Sequence, residues 1–269
     1  IQNLQDTILK FYGVSKMSDH NTIGVIAPTV SRAGHVFLEN LIQTLAETHK
    51  EVYLVTGSCV SIEGSNIQCF CLEHRGSRNI TQIFNYGLLE LKIARTMISL
   101  SKKTHTWVFF MGAECMLIPM LIARAFRMDT VICLAGSIEK LFSVERTLLY
   151  IPLILMKNLN LFLVSNIVIY SENLLYEWGL QKWEKKILIA HRHFLDFNTF
   201  TVTTPLPDRP PLIGYIGRLS GEKGVQHFAR ALPAILSDRP DLRVLIGGDG
   251  ELKDSIVATL QDEGFTARV

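Results

Sequence analysis

The sequence predicts an α/β protein built on doubly wound parallel sheets, in two successive units. Three observations carry this reading. Short β-branched runs alternate with longer helical patterns along the chain. Most of those runs are apolar without alternation, as strands covered on both faces are. The pattern then breaks at a proline-rich stretch and begins afresh beyond it. Strands that alternate with helices form βαβ units, and βαβ units make parallel sheets.

In order, the expected strands of the first unit are IGVIA (23–27), VYLVT (52–56), IQCFCL (67–72), WVFFM (107–111), TVICL (130–134), NIVIY (166–170) and ILIA (187–190). Between them Leu38, Leu41, Ile42 and Leu45 fall at helical spacing, as do Phe84, Leu88, Leu91 and Met97. Residues 1–20 stand before the first strand as an extension, and the unit runs over 21–200. The segment TVTTPLPDRPP, 201–211, holds four prolines and reads as a linker. The second unit, 212–269, opens with strand LIGYI (212–216), a glycine loop and helix KGVQHFARALPAIL. Strand RVLIG (243–247), the turn GDGE and helix LKDSIVATLQ follow. Pro233 removes one backbone hydrogen bond within its helix, so a kink is expected there. Two strands make a thin sheet, so the second unit is expected to be truncated at Val269. The chain begins with Ile1 rather than methionine, and its true N-terminus is expected to lie further upstream.

Composition excludes some functions. The chain has 269 residues, 48% hydrophobic, with net charge +2 and a mean hydropathy of +0.24. A near-neutral balance argues against a dedicated nucleic-acid binder, which carries a basic excess. Five cysteines without paired spacing favour a reducing compartment, hence a cytoplasmic protein, over a disulfide framework. Cys69 and Cys71 share a face if 67–72 is a strand, yet no second Cys/His pair has ligand spacing, so no metal is expected there. The most apolar stretch, 147–170, is interrupted by Pro152, Lys157, Asn158 and Asn160. A spanning helix needs about 20 predominantly apolar residues, so this stretch reads as a buried helix running into a strand.

The chemistry concentrates in GYIGRLSGEKG, 214–224. A glycine-rich turn from strand to helix lets backbone N–H groups approach an anion, and the helix N-terminus adds its dipole. Arg218 can fork onto phosphate oxygens, and Lys223 supplies a mobile point charge, so the two could bracket a diphosphate. A tight turn carrying two solvated charges explains the same residues. The loop is not a P-loop, because Gly221 is followed by Glu222 rather than Lys. It contains no G-x-G-x-x-G either, and GGDG at 247–250 lacks the third glycine.

GYIGRLSGEKGVQHFARALPAI followed by RVLIGGDGELKDSI resembles the donor-domain opening of retaining glycosyltransferase family 4, the group 1 glycosyl transferases of GT-B fold. IGVIAPTVSRAGHVFLENLIQTLAETHKEVYLVTG is similar to that family's first βαβ unit. NIVIYSENL and KILIAHRHFLDFNTF are similar to the end of its N-terminal domain. The resemblance covers about 21–269 and is most specific over 212–251. It implies two Rossmann-like domains, an acceptor-side one and a nucleotide-sugar-binding one. It further implies transfer of a sugar from a nucleotide-sugar donor to an unidentified glycan or lipid-linked acceptor, with retention of configuration. Donor binding would fall to Arg218, Lys223, Gly217, Gly34 and Gly250, with Gly136 and Ser137 on the acceptor side. The paired glutamates of the family would lie beyond Val269.

Two positions depart from the family pattern. CLAGS puts Ala135 where many relatives have histidine, and Ala33 replaces a glycine before Gly34. Another nucleotide-using α/β enzyme such as an oxidoreductase, or a protein that binds sugar nucleotide without turnover, therefore stays open. No Asp-x-Asp pair is present to bridge a metal to a diphosphate, so no cofactor is expected. His191 and His193 read as surface or cap residues, and Asp196 as a cap. Arg124 and Arg127 close an apolar helix, where the dipole favours cations. An acidic-lipid patch is the sharper reading of those arginines, and would place the protein peripherally at a membrane's inner face.

Overall fold

A computed structural model describes residues 22–30, 32–58, 62–72, 80–136, 150–190 and 201–262. The chain divides into two compact units, Ile1–Phe194 and Leu195–Val269.

The first unit is a seven-stranded parallel sheet in the order β3-β2-β1-β4-β5-β6-β7. Its strands are β1 (Thr22–Ala27), β2 (Glu51–Thr56), β3 (Ile67–Cys71), β4 (Thr106–Phe110), β5 (Asp129–Cys133), β6 (Asn166–Ile169) and β7 (Ile187–Ile189). Each falls within a residue or two of its expected place. The central strands are buried along almost their whole length, as unalternating apolar runs require. The edge strands are more open, with Gln68, Cys69 and Cys71 of β3 and Ile189 of β7 exposed.

Helices cover both faces. On one side α1 (Arg32–Thr48) lays Leu38, Ile42 and Leu45 against Val25, Leu54 and Val108. On the other lie α2 (Ile80–Leu100), α3 (Leu117–Ala125), α4 (Tyr150–Leu163) and the short α5 (Asn173–Glu177). These pack Ile93, Met97, Met120 and Leu161 on Tyr53, Trp107, Phe109 and Ile132. Trp107 pairs with Gly24 across β1 and β4, and a β-carbon at Gly24 would collide with the indole. The glycine makes room for the largest side chain of the core, whose burial contributes several times what a methyl does.

Two helix faces differ from expectation. Phe84, Leu88 and Leu91 lie on the exposed side of α2, whereas Leu89, Ile93 and Met97 form its buried side. In α4 the reversal goes further. Ile151, Leu155 and Phe162 are 76%, 69% and 65% exposed, while Lys157 and Asn160 are buried. This corrects the reading of 147–170 as a buried helix, although the helix does run into β6 as expected.

Lys186, in the 3-10 turn before β7, ends α4 by donating to the carbonyls of Leu161, Phe162 and Val164 at 3.3, 2.6 and 2.9 Å. Those are carbonyls that a helix C-terminus leaves without intrahelical partners. Burial is the main cause that pushes the Lys186 pKa down, and the nearby positive charge of Arg124 adds to it. Cys71 is disulfide-bonded, which corrects the expectation of a fully reduced chain; Cys69, Cys115 and Cys133 are free. Among the described residues no group of His, Cys, Asp and Glu could hold a metal ion, and no helix is long and apolar enough to cross a membrane.

The second unit has parallel strands β8 (Leu212–Ile216) and β9 (Arg243–Gly247) with helices α6 (Val225–Asp238) and α7 (Lys253–Asp262). Its core joins Val225, Ala229, Leu232 and Leu236 of α6 to Val244, Ile256 and Leu260. The helix α6 continues through Pro233. The opposite side of the sheet leaves Leu212, Ile216 and Leu245 exposed.

Candidate functional site

In each unit the glycine turns sit where doubly wound sheets bind ligands, beyond the carboxyl ends of the strands. In the second unit the loop after β8 is fixed to the turn after β9 by main-chain bonds. The Gly217 N–H donates to the Gly247 carbonyl and the Leu219 N–H to that of Asp249, both at 2.9 Å. Leu252 N–H returns a bond to the Leu219 carbonyl at 3.0 Å. The ladder of β8 and β9 thus continues past the strands into both loops. Leu219 is buried beneath them, which anchors the loop's apolar side.

Gly250 makes this approach possible. Its φ is +156°, and a β-carbon there would sit 2.8 Å from the Leu219 carbonyl carbon and 2.9 Å from its nitrogen, closer than atoms tolerate. Gly217 is half-buried below Tyr215, whose hydroxyl donates to the Arg218 carbonyl at 3.1 Å. That bond pins the backbone from which the Arg218 side chain leaves, and the side chain itself is exposed. Lys223, also exposed, closes the 3-10 turn Gly221–Lys223, and Gly224 starts α6 in the left-handed region at φ +70°. The geometry can present two cations and the start of a helix to an anion from a rigid backbone. Ser220 is buried with its hydroxyl oxygen unpartnered. The sequence reading passed it over because one serine in a turn carries no signal of its own.

In the first unit the sheet order reverses between β1 and β4, which makes the topological switch point. Gly34, in the first turn of α1, lies there. A β-carbon on it would come 2.8 Å from Val30 Cγ1 and 3.3 Å from Met111 Cε, so the glycine lets α1 pack against the turn after β4. That turn is strained: Met111 has φ +38°, and Gly112 follows at +89°. The Tyr86 hydroxyl donates to the Gly112 carbonyl at 3.2 Å, and burial pushes the Tyr86 pKa upward, with the Glu90 and Glu114 charges adding to the effect. Behind the turn, the buried Glu90 carboxylate accepts the Ile118 N–H at 2.8 Å and so caps α3. Burial raises its pKa, against the two backbone bonds from Ile118 and Leu117. Asn160 of α4 donates to the Glu114 carbonyl at 2.9 Å. Tyr86, Glu90, Met111 and Gly112 do not stand out in the sequence, and Asn160 stands out only as a polar break in an apolar stretch. The only signal, Met-Gly after an apolar strand, is too short to read.

The other expected residues fall as follows. Gly136 is exposed after β5, and a β-carbon on it would meet nothing within 4 Å, so packing does not demand the glycine. Ser137, His191, His193 and Asp196 lie outside the described residues. Gly217, Arg218, Lys223 and Gly250 share one unit and one pair of loops; Gly34 and Gly136 belong to the other unit.

Comparison with known proteins bears on the same residues. Residues 196–269 match the family described as Glycosyl transferases group 1. An uncharacterized glycosyltransferase of Methanocaldococcus jannaschii is 29% identical over 76 residues, 28% of this chain and 18% of that protein. Among solved structures, the apo form of the lipopolysaccharide outer core galactosyltransferase WaaB is similar with a TM-score of 0.59 and 16% identity, over 92% of this chain and 66% of that one. A glycosyltransferase from Rickettsia africae gives 0.55 and 13%, over 93% and 67%. A structure from E. coli described as trehalose-6-phosphate bound with UDP-2-fluoro glucose gives 0.58 and 12%, over 90% and 69%. The chain therefore spans under a fifth of the curated relative and about two thirds of these structures. The likeness establishes the GT-B fold, and the resemblance to group 1 glycosyl transferases read from the sequence holds, resting on 196–269.

Proposed function

Because residues 196–269 match the group 1 glycosyl transferases, we propose that the chain acts as a glycosyltransferase that draws a hexose from a nucleotide-sugar donor. The observation that carries this reading is the basic loop 217–224, fixed to the turn 247–252 by main-chain bonds inside the matched segment. Arg218 and Lys223 hold the donor diphosphate and stabilise it as it departs, a term that is commonly the largest in such catalysis. Gly217 and Gly250 keep the backbone open to the nucleotide, and the family resemblance adds Gly34 to the donor-binding residues. No bridging metal is invoked, since the two cations meet the leaving group's charge. The family resemblance assigns Gly136 and Ser137 to the acceptor side, and the acceptor is a glycan or a lipid-linked sugar. Retention of configuration follows from the family resemblance.

The same fold also carries UDP-GlcNAc 2-epimerases, one from M. jannaschii being similar with a TM-score of 0.50 and 13% identity. Epimerisation of a nucleotide sugar is therefore the second reading, and the family match is what favours transfer. Incubation with a radiolabelled nucleotide sugar and mixed glycan or lipid acceptors separates the two. Label that moves to an acceptor supports transfer, and label that stays on the nucleotide as an isomeric sugar supports epimerisation. A chain that binds no nucleoside diphosphate in titration calorimetry would overturn both.

A further inference from the structure

The two helical layers of the first unit have unlike outer surfaces. Among the described residues of α1 the outer side carries one exposed large hydrophobic, Val36. The opposite layer, α2–α4, exposes Leu91, Leu121, Ile151, Leu155 and Phe162, and Phe126 follows at the end of α3. Within α4 the arrangement is inverted: Ile151, Leu155 and Phe162 fall at i, i+4 and i+11, one outward stripe, while Lys157 and Asn160 point into the protein. Helices on a water-facing surface put these residue types the other way round.

One end of the stripe is cationic and aromatic. Phe162 meets Trp183 edge to face, with ring centroids 6.4 Å apart. Lys182 Nζ lies 5.0 Å from the Trp183 ring centre, and Lys185 is exposed beside it. Arg124 and Arg127 are exposed at the end of α3, next to Phe126. Arg127 holds φ +53°, the left-handed position where a helix end usually places glycine, so the chain keeps a cation there at a cost in backbone strain. Glu184 lies in the same turn and leaves the cluster net positive.

We propose that the outer face of α2–α4 is a docking surface for a membrane containing anionic lipid, with α4 lying in the headgroup region. The apolar stripe enters the acyl boundary, and Trp183, packed on the core, supports Phe162 at one end of it. Arg124, Arg127, Lys182 and Lys185 face the lipid phosphates. No described helix could span the bilayer, so the protein lies on it. This inference stands apart from the proposed donor chemistry, since it uses none of those residues.

The test is co-sedimentation of the 269-residue chain with phosphatidylglycerol vesicles and with pure phosphatidylcholine vesicles, without any sugar nucleotide, over a salt series. Binding is expected to phosphatidylglycerol at low salt and to fall as salt rises. L155S/F162S should lower it, and independently K182S/K185S should lower it roughly tenfold. All four side chains are at the surface, so the two pairs need not disturb the fold. The proposal is overturned if wild type fails to bind phosphatidylglycerol at low salt, or if neither pair weakens binding. It is equally overturned if the chain is a dimer in solution that L155S/F162S turns into a monomer, because a second copy then covers the face.

Discussion

Leu219 donates its N–H to the Asp249 carbonyl over 2.9 Å, beyond Ile216 and Gly247, the last paired residues of β8 and β9. Through that bond the loop that carries Arg218 inherits the rigidity of a sheet. Gly250→Ala is the direct test. The new methyl would meet the Leu219 backbone, so the loops must part, at about 1–3 kcal/mol. The second unit should melt earlier in calorimetry, and nucleoside diphosphate affinity should fall with it. Unchanged affinity would mean that the lock does not matter to binding.

Arg218→Ala and Lys223→Ala should each weaken nucleoside diphosphate binding by about 1.5–3 kcal/mol, the size of a charge-assisted contact. Arg218→Lys should rescue only partly, because an ammonium cannot fork onto two oxygens. Titration calorimetry with diphosphate and with nucleoside alone locates the effect. Loss confined to the diphosphate puts both cations at the phosphates; no loss in the double variant leaves them as solvated charges on a turn.

Glu90 gives a pH signature. Its folded pKa lies above the ordinary 4.5, so the folded state holds the proton more tightly than the unfolded chain does. The stability this brings is fully present below about pH 4.5 and is lost as pH rises through the raised value. Glu90→Gln keeps an oxygen for the Ile118 N–H but does not titrate. Urea midpoints measured across that window should therefore fall with pH in wild type and stay flatter in the variant. Glu90→Ala, which removes the cap, should cost about 1–2 kcal/mol.

Amide exchange should separate the two sheets. β1 and β4 are buried on both faces, whereas β8 alternates and leaves Ile216 86% exposed. Faster exchange is expected over 212–216 and 243–247 than over 22–27 and 106–110. Equal protection would show that α6 and α7 alone shield the second sheet.

The strands were legible because a strand covered on both faces must be apolar throughout, and runs such as WVFFM can be little else. The helices were legible as helices, but their faces were not. In α2 both Phe84–Leu88–Leu91 and Leu89–Ile93–Met97 follow helical spacing, and only packing against Trp107 and Phe109 chooses the second set. Periodicity fails in α4 for a related reason, since it assumes that the apolar stripe faces inward. In the site, glycine positions were readable but their reasons were not. Gly34 answers to Val30 and also to Met111, 77 positions later, and Gly250 to Leu219 on another loop. A sequence shows that side-chain volume is missing, and the neighbour that forbids it appears only on folding.

The indole of Trp107 over Gly24 also gives the molecule a built-in optical reporter. All three tryptophans, Trp107, Trp178 and Trp183, belong to the first unit, and Leu195–Val269 has none. Emission excited at the red edge of absorption, where tyrosine is silent, thus follows the seven-stranded sheet alone. Far-ultraviolet dichroism sums both units. Denaturation recorded by the two signals together would resolve the units without a label, and the part of the dichroic transition lacking an emission change would belong to the unit that carries Arg218 and Lys223.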